Sequence, residues 1–155
     1  MKKVLVAAAL LSSMAVQAQG ILSSLVSYES IRDKPSAATG NTEAFTNISA
    51  EYVFPRSLSF YGGFSVIRGD SYDSSVIMGM RFYTFSPAFR FGSAVPVWPY
   101  MGFGTHVDGN STIYPEVGLR FASSVDSRLD LFARIYSSKD KSLDKHATLG
   151  LGLSF

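Results

Sequence analysis

The sequence predicts an all-β protein: an eight-stranded antiparallel up-and-down transmembrane β-barrel that follows an N-terminal signal peptide. Three observations predict this fold class. The chain begins with an export-type leader, its later segments alternate between apolar and polar residues, and the polar positions carry few charges. Charged residues make up 17% of the 155 residues, which is low beside the roughly 25% of soluble domains.

Residues 1–18 have the organisation of a secretory signal peptide. Lys2 and Lys3 give a charged start, an apolar run follows, and Ala18 supplies the small residue before a cleavage site. The apolar run is shorter than the ~20 residues that a helical membrane span needs. We therefore expect a leader and a barrel domain, 19–155. Without the two leader lysines the chain carries 12 basic and 12 acidic residues, so no binding of nucleic acid is expected.

The first half of the barrel domain contains four candidate strands. Segment 21–30 alternates weakly, and the sequence does not fix which face is which. The next three segments are 44–54, 58–66 and 76–82, and each has one apolar-biased face opposed by smaller, polar or charged residues. The clearest apolar positions in them are Ile48, Ala50, Tyr52, Phe60, Phe64, Val66, Val76, Met78, Met80 and Phe82.

The second half repeats the pattern in segments 97–107, 113–121, 129–135 and 146–155. Their apolar faces contain Met101, Phe103, Val117, Leu119, Leu129, Leu131, Leu149, Leu151, Leu153 and Phe155. Most segments approach the ~10 residues of a tilted transmembrane strand. A soluble β-sandwich also alternates, but its exposed face is usually charged. Here the second face holds Gly, Ser, Tyr and scattered charges of both signs, which favours the lumen of a narrow barrel.

The connections give a second test of the barrel. Outer-membrane barrels have short periplasmic turns and longer external loops. The expected external loops are 31–43, 68–74, 108–112 and 138–145, and the expected periplasmic turns are 55–57, 85–96 and 122–127. The turn 85–96 is long and aromatic, against this rule. Either its flanking strands extend further, or it packs at the membrane interface as part of an aromatic girdle.

Placing the polar face inward puts an interior charge network of three acids and three bases inside the barrel: Glu51, Arg81, Glu116, Arg120, Asp130 and Arg134. Five tyrosines accompany them: Tyr61, Tyr83, Tyr100, Tyr114 and Tyr136. If the opposite residues of 113–121 and 129–137 sum to 250, Glu116 faces Arg134 and Arg120 faces Asp130. The network is either a gate for a narrow ion path or a structural plug, and the bulky rings favour the plug.

Other candidate sites give weaker signals. His106 and His146 are expected at the outer rim in contact with water, and no spacing places them in a catalytic triad. We therefore expect no enzymatic activity, no metal site and no cofactor. Arg68, Gly69 and Asp70 form a tripeptide in an external loop that resembles an integrin-binding motif, but glycine and aspartate are also ordinary turn residues.

The chain resembles small eight-stranded outer-membrane barrels of the OmpA/OmpX type. The resemblance depends on the leader, the eight alternating segments and the C-terminal pattern of Leu149, Leu151, Leu153 and Phe155. It implies integral location in a bacterial outer membrane, with membrane lipid, lipopolysaccharide and the barrel-assembly machinery as partners. The role it implies is structural or adhesion-like through external loops; a narrow gated pore is the alternative, and an enzyme modifying lipid A a more remote one.

Overall fold

The computed structural model describes residues 20–35, 42–55, 57–70, 72–92, 94–107, 112–122, 127–139 and 143–155. The predicted signal peptide lies outside these residues. Within the described part of the chain, no helix is long and apolar enough to cross a membrane.

The described residues form nine antiparallel strands: β1 (Ile21–Asp33), β2 (Ala44–Val53), β3 (Leu58–Arg68), β4 (Tyr72–Tyr83), β5 (Phe89–Phe91), β6 (Val95–Val107), β7 (Thr112–Ala122), β8 (Arg128–Ile135) and β9 (Ala147–Ser154). Eight of them pair with their neighbours in order around a ring, which closes where β1 pairs with β9 and β4 pairs with β6. The predicted eight-stranded antiparallel barrel is confirmed. Closure leaves no open sheet edge in the ring, because every long strand has a partner on both sides.

The ninth strand, β5, explains the long segment 85–96. β6 begins at Val95, but β4 pairs with it only from Tyr100 onward. The first residues of β6 pair instead with β5, from Phe89 to Phe91. Gly92 has a φ of 65° at the turn between the two strands, a conformation that glycine adopts without steric cost. The segment is therefore a short β-hairpin that prolongs one side of the barrel wall, in agreement with the alternative that a flanking strand extends further than its alternating segment.

Two predicted external loops are shorter in the structure. β3 continues to Arg68 and β4 begins at Tyr72, so three residues connect them instead of the expected 68–74. β1 likewise continues to Asp33, into the expected loop 31–43. Charged and polar residues at these strand ends hid the continuation of the alternating pattern.

The two faces of the barrel differ in polarity in the way that the alternation predicted. Large apolar side chains cover the outside on every long strand, including Ile48, Phe64, Met101, Val117 and Leu151. Serines, tyrosines and charged side chains fill the inside. The first strand, whose facing the sequence left open, turns Ser23, Leu25, Ser27 and Glu29 inward.

Candidate functional site

The barrel interior holds a continuous network of ion pairs. The structure places all six charged residues of the proposed interior network inside, each at most 5% exposed, and brings them into contact with one another. The register between β7 and β8 is the one predicted from the sequence: Glu116 pairs with Arg134, and Arg120 pairs with Asp130. Complementary charges at facing positions therefore identify the register of these two strands.

Arg120 forms the end of the network nearest the chain termini. Its Nε donates to Asp130 Oδ1 at 2.7 Å, and its Nη2 donates to Asp130 Oδ2 at 2.6 Å. The same Nη2 lies 2.7 Å from Glu51 Oε2. Ser59 and Tyr83 donate hydroxyl hydrogen bonds to the other oxygen of Glu51, at 2.7 and 2.9 Å. This carboxylate is thus held by partners on three other strands.

Arg81 joins the two halves of the network at the middle of the barrel. Its Nε donates to Glu116 Oε1 at 2.6 Å, and its Nη1 lies 3.3 Å from both Glu51 Oε1 and Asp130 Oδ2. Its side chain is completely buried. A single guanidinium therefore contacts three carboxylates that come from β2, β7 and β8.

Arg134 completes the network and reveals a member that the sequence analysis missed. It donates from Nε and Nη2 to Glu116 Oε2, both at 2.6 Å. Its Nη1 also contacts Glu29 of β1. The predicted balance of three acids and three bases was wrong, because Glu29 adds a fourth carboxylate. Its charge was the available signal: the outside of a lipid-facing strand does not tolerate a carboxylate, so Glu29 should have fixed the inward face of β1.

Aromatic rings fill the space between the charged groups. The guanidinium carbons of the three arginines lie 4.5–5.1 Å from the centroids of interior rings, within the ~6 Å of a cation–π contact. The tyrosine rings fit because glycines on neighbouring strands leave room for them. A Cβ at Gly118 would come within 2.5 Å of the Tyr100 ring, and one at Gly104 within 2.6 Å of Tyr114.

The end of the barrel away from the termini is closed by an apolar and aromatic cluster. Phe45, Ile67, Tyr114 and Tyr136 form it inside the barrel, and Leu143 from the connection between β8 and β9 packs onto them. The rings of Phe45 and Tyr136 stack with centroids 4.9 Å apart. We call these five residues the outer cap.

Both histidines lie buried beside the outer cap, so the expectation of water-exposed rim histidines was wrong. His106 and His146 have no solvent exposure. The ring of His106 lies 5.4–5.7 Å from those of Phe45, Tyr114 and Tyr136. The sequence placed the histidines correctly at strand ends, but it does not reveal that the cap covers them.

His106 and Ser75 form a pair whose geometry is that of a base and a hydroxyl nucleophile. Ser75 Oγ and His106 Nδ1 are 2.6 Å apart. Catalysis also requires an orienting group on the histidine and access for substrate. His106 Nε2 has no hydrogen-bond partner among the described residues, and both side chains are buried. The pair therefore lacks the remaining parts of a triad. The described residues also contain no cluster of three or more His, Asp or Glu suited to a metal ion.

The remaining sequence-based candidates lie at the two ends of the barrel. Arg68 ends β3, with Gly69 and Asp70 in the turn that follows, and its Nε lies 3.8 Å from Glu43 Oε2 on the surface. At the opposite end Phe155 extends the ladder of β9 to Ser24 by two backbone hydrogen bonds of 2.8 and 3.0 Å. The alternate C-terminal side chains of Leu149, Leu151, Leu153 and Phe155 all point outward and are exposed.

The site as a whole is a packed polar interior under an apolar cap. Its charged groups contact one another, and its rings occupy the space between them. Such an arrangement pairs the buried charges with one another and rigidifies a narrow barrel. Conduction would require the three arginines to move away from the carboxylates that they contact.

Comparisons with known proteins support the fold. No protein-family model matches the chain, and no curated protein matches it either. Among solved structures, the chain is similar to the crystal structure of Neisserial surface protein A (NspA), with a TM-score of 0.53 and 16% sequence identity. The match covers 86% of this chain and 92% of that chain. At this identity the similarity shows a shared fold: the chain adopts the barrel architecture of a Neisserial surface protein.

Proposed function

We propose that this chain is an integral outer-membrane β-barrel protein with a structural or surface-interaction role through its external loops. The observation that carries the proposal is the inverted polarity of the barrel. The ion pairs are inside, and a continuous apolar surface is outside.

Physical chemistry favours a lipid environment for this surface. Soluble monomers rarely expose contiguous apolar patches larger than a few hundred Å². Here every long strand of the ring has exposed apolar residues on its outer face, such as Ile48, Phe64 and Met101. In hydrocarbon, backbone polar groups need partners within the protein, and a closed barrel supplies them. The two requirements that lipid imposes, apolar side chains outside and a closed hydrogen-bonded ladder, are both met.

The surface role follows from the orientation that we propose. With both termini on the periplasmic side, the connections that follow β1, β3, β6 and β8 lie at the outer end of the barrel. The name of the similar structure, a surface protein, agrees with exposure at the cell surface. We infer that these connections make the contacts with a partner, while the barrel anchors them.

Outer-membrane fractionation with heat-modifiable migration on a denaturing gel tests the proposal. We expect the protein in the outer-membrane fraction, with the unboiled sample migrating at a different position from the boiled one because the closed barrel resists detergent. Recovery in the soluble fraction, or one common band position, would contradict a membrane barrel. Replacing 69–71, one of these connections, with a Gly-Ser connection should weaken the binding of a surface partner and leave the band shift unchanged.

A narrow gated pore is the second candidate function, and one observation favours it. Arg81 lies 3.3 Å from two carboxylates at once, so a small movement exchanges one partner for the other. Planar-bilayer recording distinguishes the two functions. A plugged barrel gives no current steps, whereas a gated pore gives steps that change when Arg134 is replaced by Glu.

A further inference from the structure

The described interior of the barrel contains one more carboxylate than guanidinium groups. Glu29, Glu51, Glu116 and Asp130 face three arginines, and all seven side chains are at most 5% exposed. An uncompensated charge away from water carries a large desolvation penalty. No other lysine or arginine of the described residues is buried, so a proton or a bound cation would balance the surplus charge.

Donor groups surround the carboxylates of this network. Glu29 accepts hydrogen bonds from Asn47 Nδ2 at 2.7 Å, Tyr136 OH at 2.8 Å and Thr148 Oγ1 at 3.0 Å, in addition to its contact with Arg134. A protonated Oε2 would have to donate to the hydroxyl of Tyr136 or Thr148, and that hydroxyl would then need a new acceptor for its own hydrogen. Glu51 likewise accepts from hydroxyl and guanidinium donors.

His106 is also poorly placed to hold the charge. Its Nδ1 already shares a hydrogen bond with Ser75 Oγ, and its Nε2 has no partner among the described residues. A second N–H would therefore be buried without an acceptor beside the outer cap. Such a group costs its full desolvation energy.

Two buried oxygen atoms without hydrogen-bond partners among the described residues lie on β2 and β3, the strands that follow β1 and its Glu29 around the barrel. Asn47 pairs with Ser65 in the β2–β3 register, and Ser65 pairs with Ser75 in the β3–β4 register. Asn47 is 1% and Ser65 0% exposed, yet Asn47 Oδ1 and Ser65 Oγ have no hydrogen-bond partner among the described residues. Asn47 uses its amide nitrogen to bind Glu29 and Ser27, so its carbonyl oxygen remains available to another ligand.

We propose that this oxygen-lined wall binds one monovalent cation, with Asn47 Oδ1 and Ser65 Oγ as ligands and Ser75 Oγ next to them. Carbonyl and hydroxyl oxygens suit hard cations, and the adjacent carboxylate of Glu29 supplies the attraction. One monovalent charge neutralises the surplus, whereas a divalent ion would reverse it. The inference depends on the closed barrel and its interior, and not on the proposed location in the outer membrane.

The thermal stability of the purified barrel in a series of NaCl concentrations tests this site. Ionic strength is held constant with N-methylglucamine chloride, whose cation is too large to enter. We expect saturable stabilisation by Na⁺. Ser65→Ala should raise the half-saturating Na⁺ concentration about tenfold, as expected for the loss of one ligand worth about 1.4 kcal/mol. Glu29→Gln, which removes the surplus charge, should abolish the dependence.

Ser23→Ala is the matched control. Ser23 is also buried and its hydroxyl has no partner among the described residues, but it pairs in register with Glu51, which two arginines already contact. Its replacement should leave the Na⁺ dependence unchanged. Equal stability in both salts, or equal effects of Ser65→Ala and Ser23→Ala, would overturn the proposal.

Crystals grown in RbCl give an independent test, because Rb⁺ scatters anomalously and water does not. We expect an anomalous peak between Asn47 Oδ1 and Ser65 Oγ, and its absence would contradict the site. Failure of the protein to fractionate with the outer membrane would count against the proposed function, but it would leave both cation measurements interpretable.

Discussion

Arg81 is the residue whose replacement is expected to destabilise the interior network most. It is completely buried and contacts three carboxylates, and its removal would leave those charges without their shared partner. Breaking a buried ion pair from one side typically costs about 3–5 kcal/mol, far more than the pair contributes relative to an apolar replacement. The expected loss of stability therefore comes mainly from the carboxylates that would be left without a partner, and less from the loss of the attraction itself.

We expect Arg81→Met to lower the free energy of unfolding by about 3–5 kcal/mol. Urea titration of the reconstituted barrel, followed by the fluorescence of the single tryptophan, Trp98, measures this change. Arg68→Met is the control, because its long contact with Glu43 is largely exposed and should contribute at most about 1 kcal/mol. Similar losses in the two variants would contradict the buried network.

Several glycines inside the barrel leave space that aromatic rings of neighbouring strands occupy. We expect Gly118→Ala to destabilise the barrel by about 1–3 kcal/mol, because the new methyl group would lie 2.5 Å from the Tyr100 ring and 2.7 Å from the carbonyl oxygen of Leu131. Gly62→Ala provides the control, since the nearest atom there is 3.8 Å away. The same urea titration compares them, and a loss at Gly62 as large as at Gly118 would argue against this packing.

At the scale of the strands, alternation and charge complementarity were enough to predict much of the architecture. The polar faces of 113–121 and 129–135 carry opposite charges in matching order, so only one register pairs them. In the first strand serines occupy both faces, and the charge of Glu29 was the one signal that indicated its inward face. The hairpin of β5 and β6 was not predictable for another reason: Pro, Gly and Phe residues there interrupt the alternation that identifies the other strands.

The connection between β8 and β9 is an element whose packing no sequence period reveals. A leucine within a polar loop gives no sign that it enters the barrel, yet Leu143 is 4% exposed and completes the outer cap. Tertiary packing against Phe45 and Tyr136 decides its position. This cap also explains why two histidines at strand ends are buried and not wet.

We expect Leu143→Gly to uncover the histidines beneath the cap. The rate of His106 modification by diethylpyrocarbonate, measured by peptide mass spectrometry, should rise several-fold, because the missing side chain opens the route to the ring. Leu22→Gly is the control, since Leu22 is exposed at the other end of the barrel. An unchanged rate at His106 in the Leu143 variant would show that another element covers it.

At the scale of the whole molecule, the interior and exterior of the barrel have exchanged the roles that they have in soluble proteins. Charged groups pair with one another inside, and apolar side chains point outward on every long strand. The composition already indicated an apolar outer face, since a low charged fraction and many aromatic residues suit a lipid-facing surface. The surplus carboxylate and the oxygen-lined wall could be recognised only from the three-dimensional structure, because their residues come from separate strands.

The central claim is that the outward face of this barrel contacts lipid, and spin labelling tests it most directly. The sequence contains no cysteine, so a single introduced cysteine carries the label without a background signal. Labels at Ile48, Phe64 and Val117 in a lipid bilayer should collide readily with O₂ and be shielded from a water-soluble nickel complex. A label at Asp70, in the turn after β3, should show the opposite pattern. If the nickel complex reaches the three outward positions as readily as Asp70, the barrel does not span a membrane.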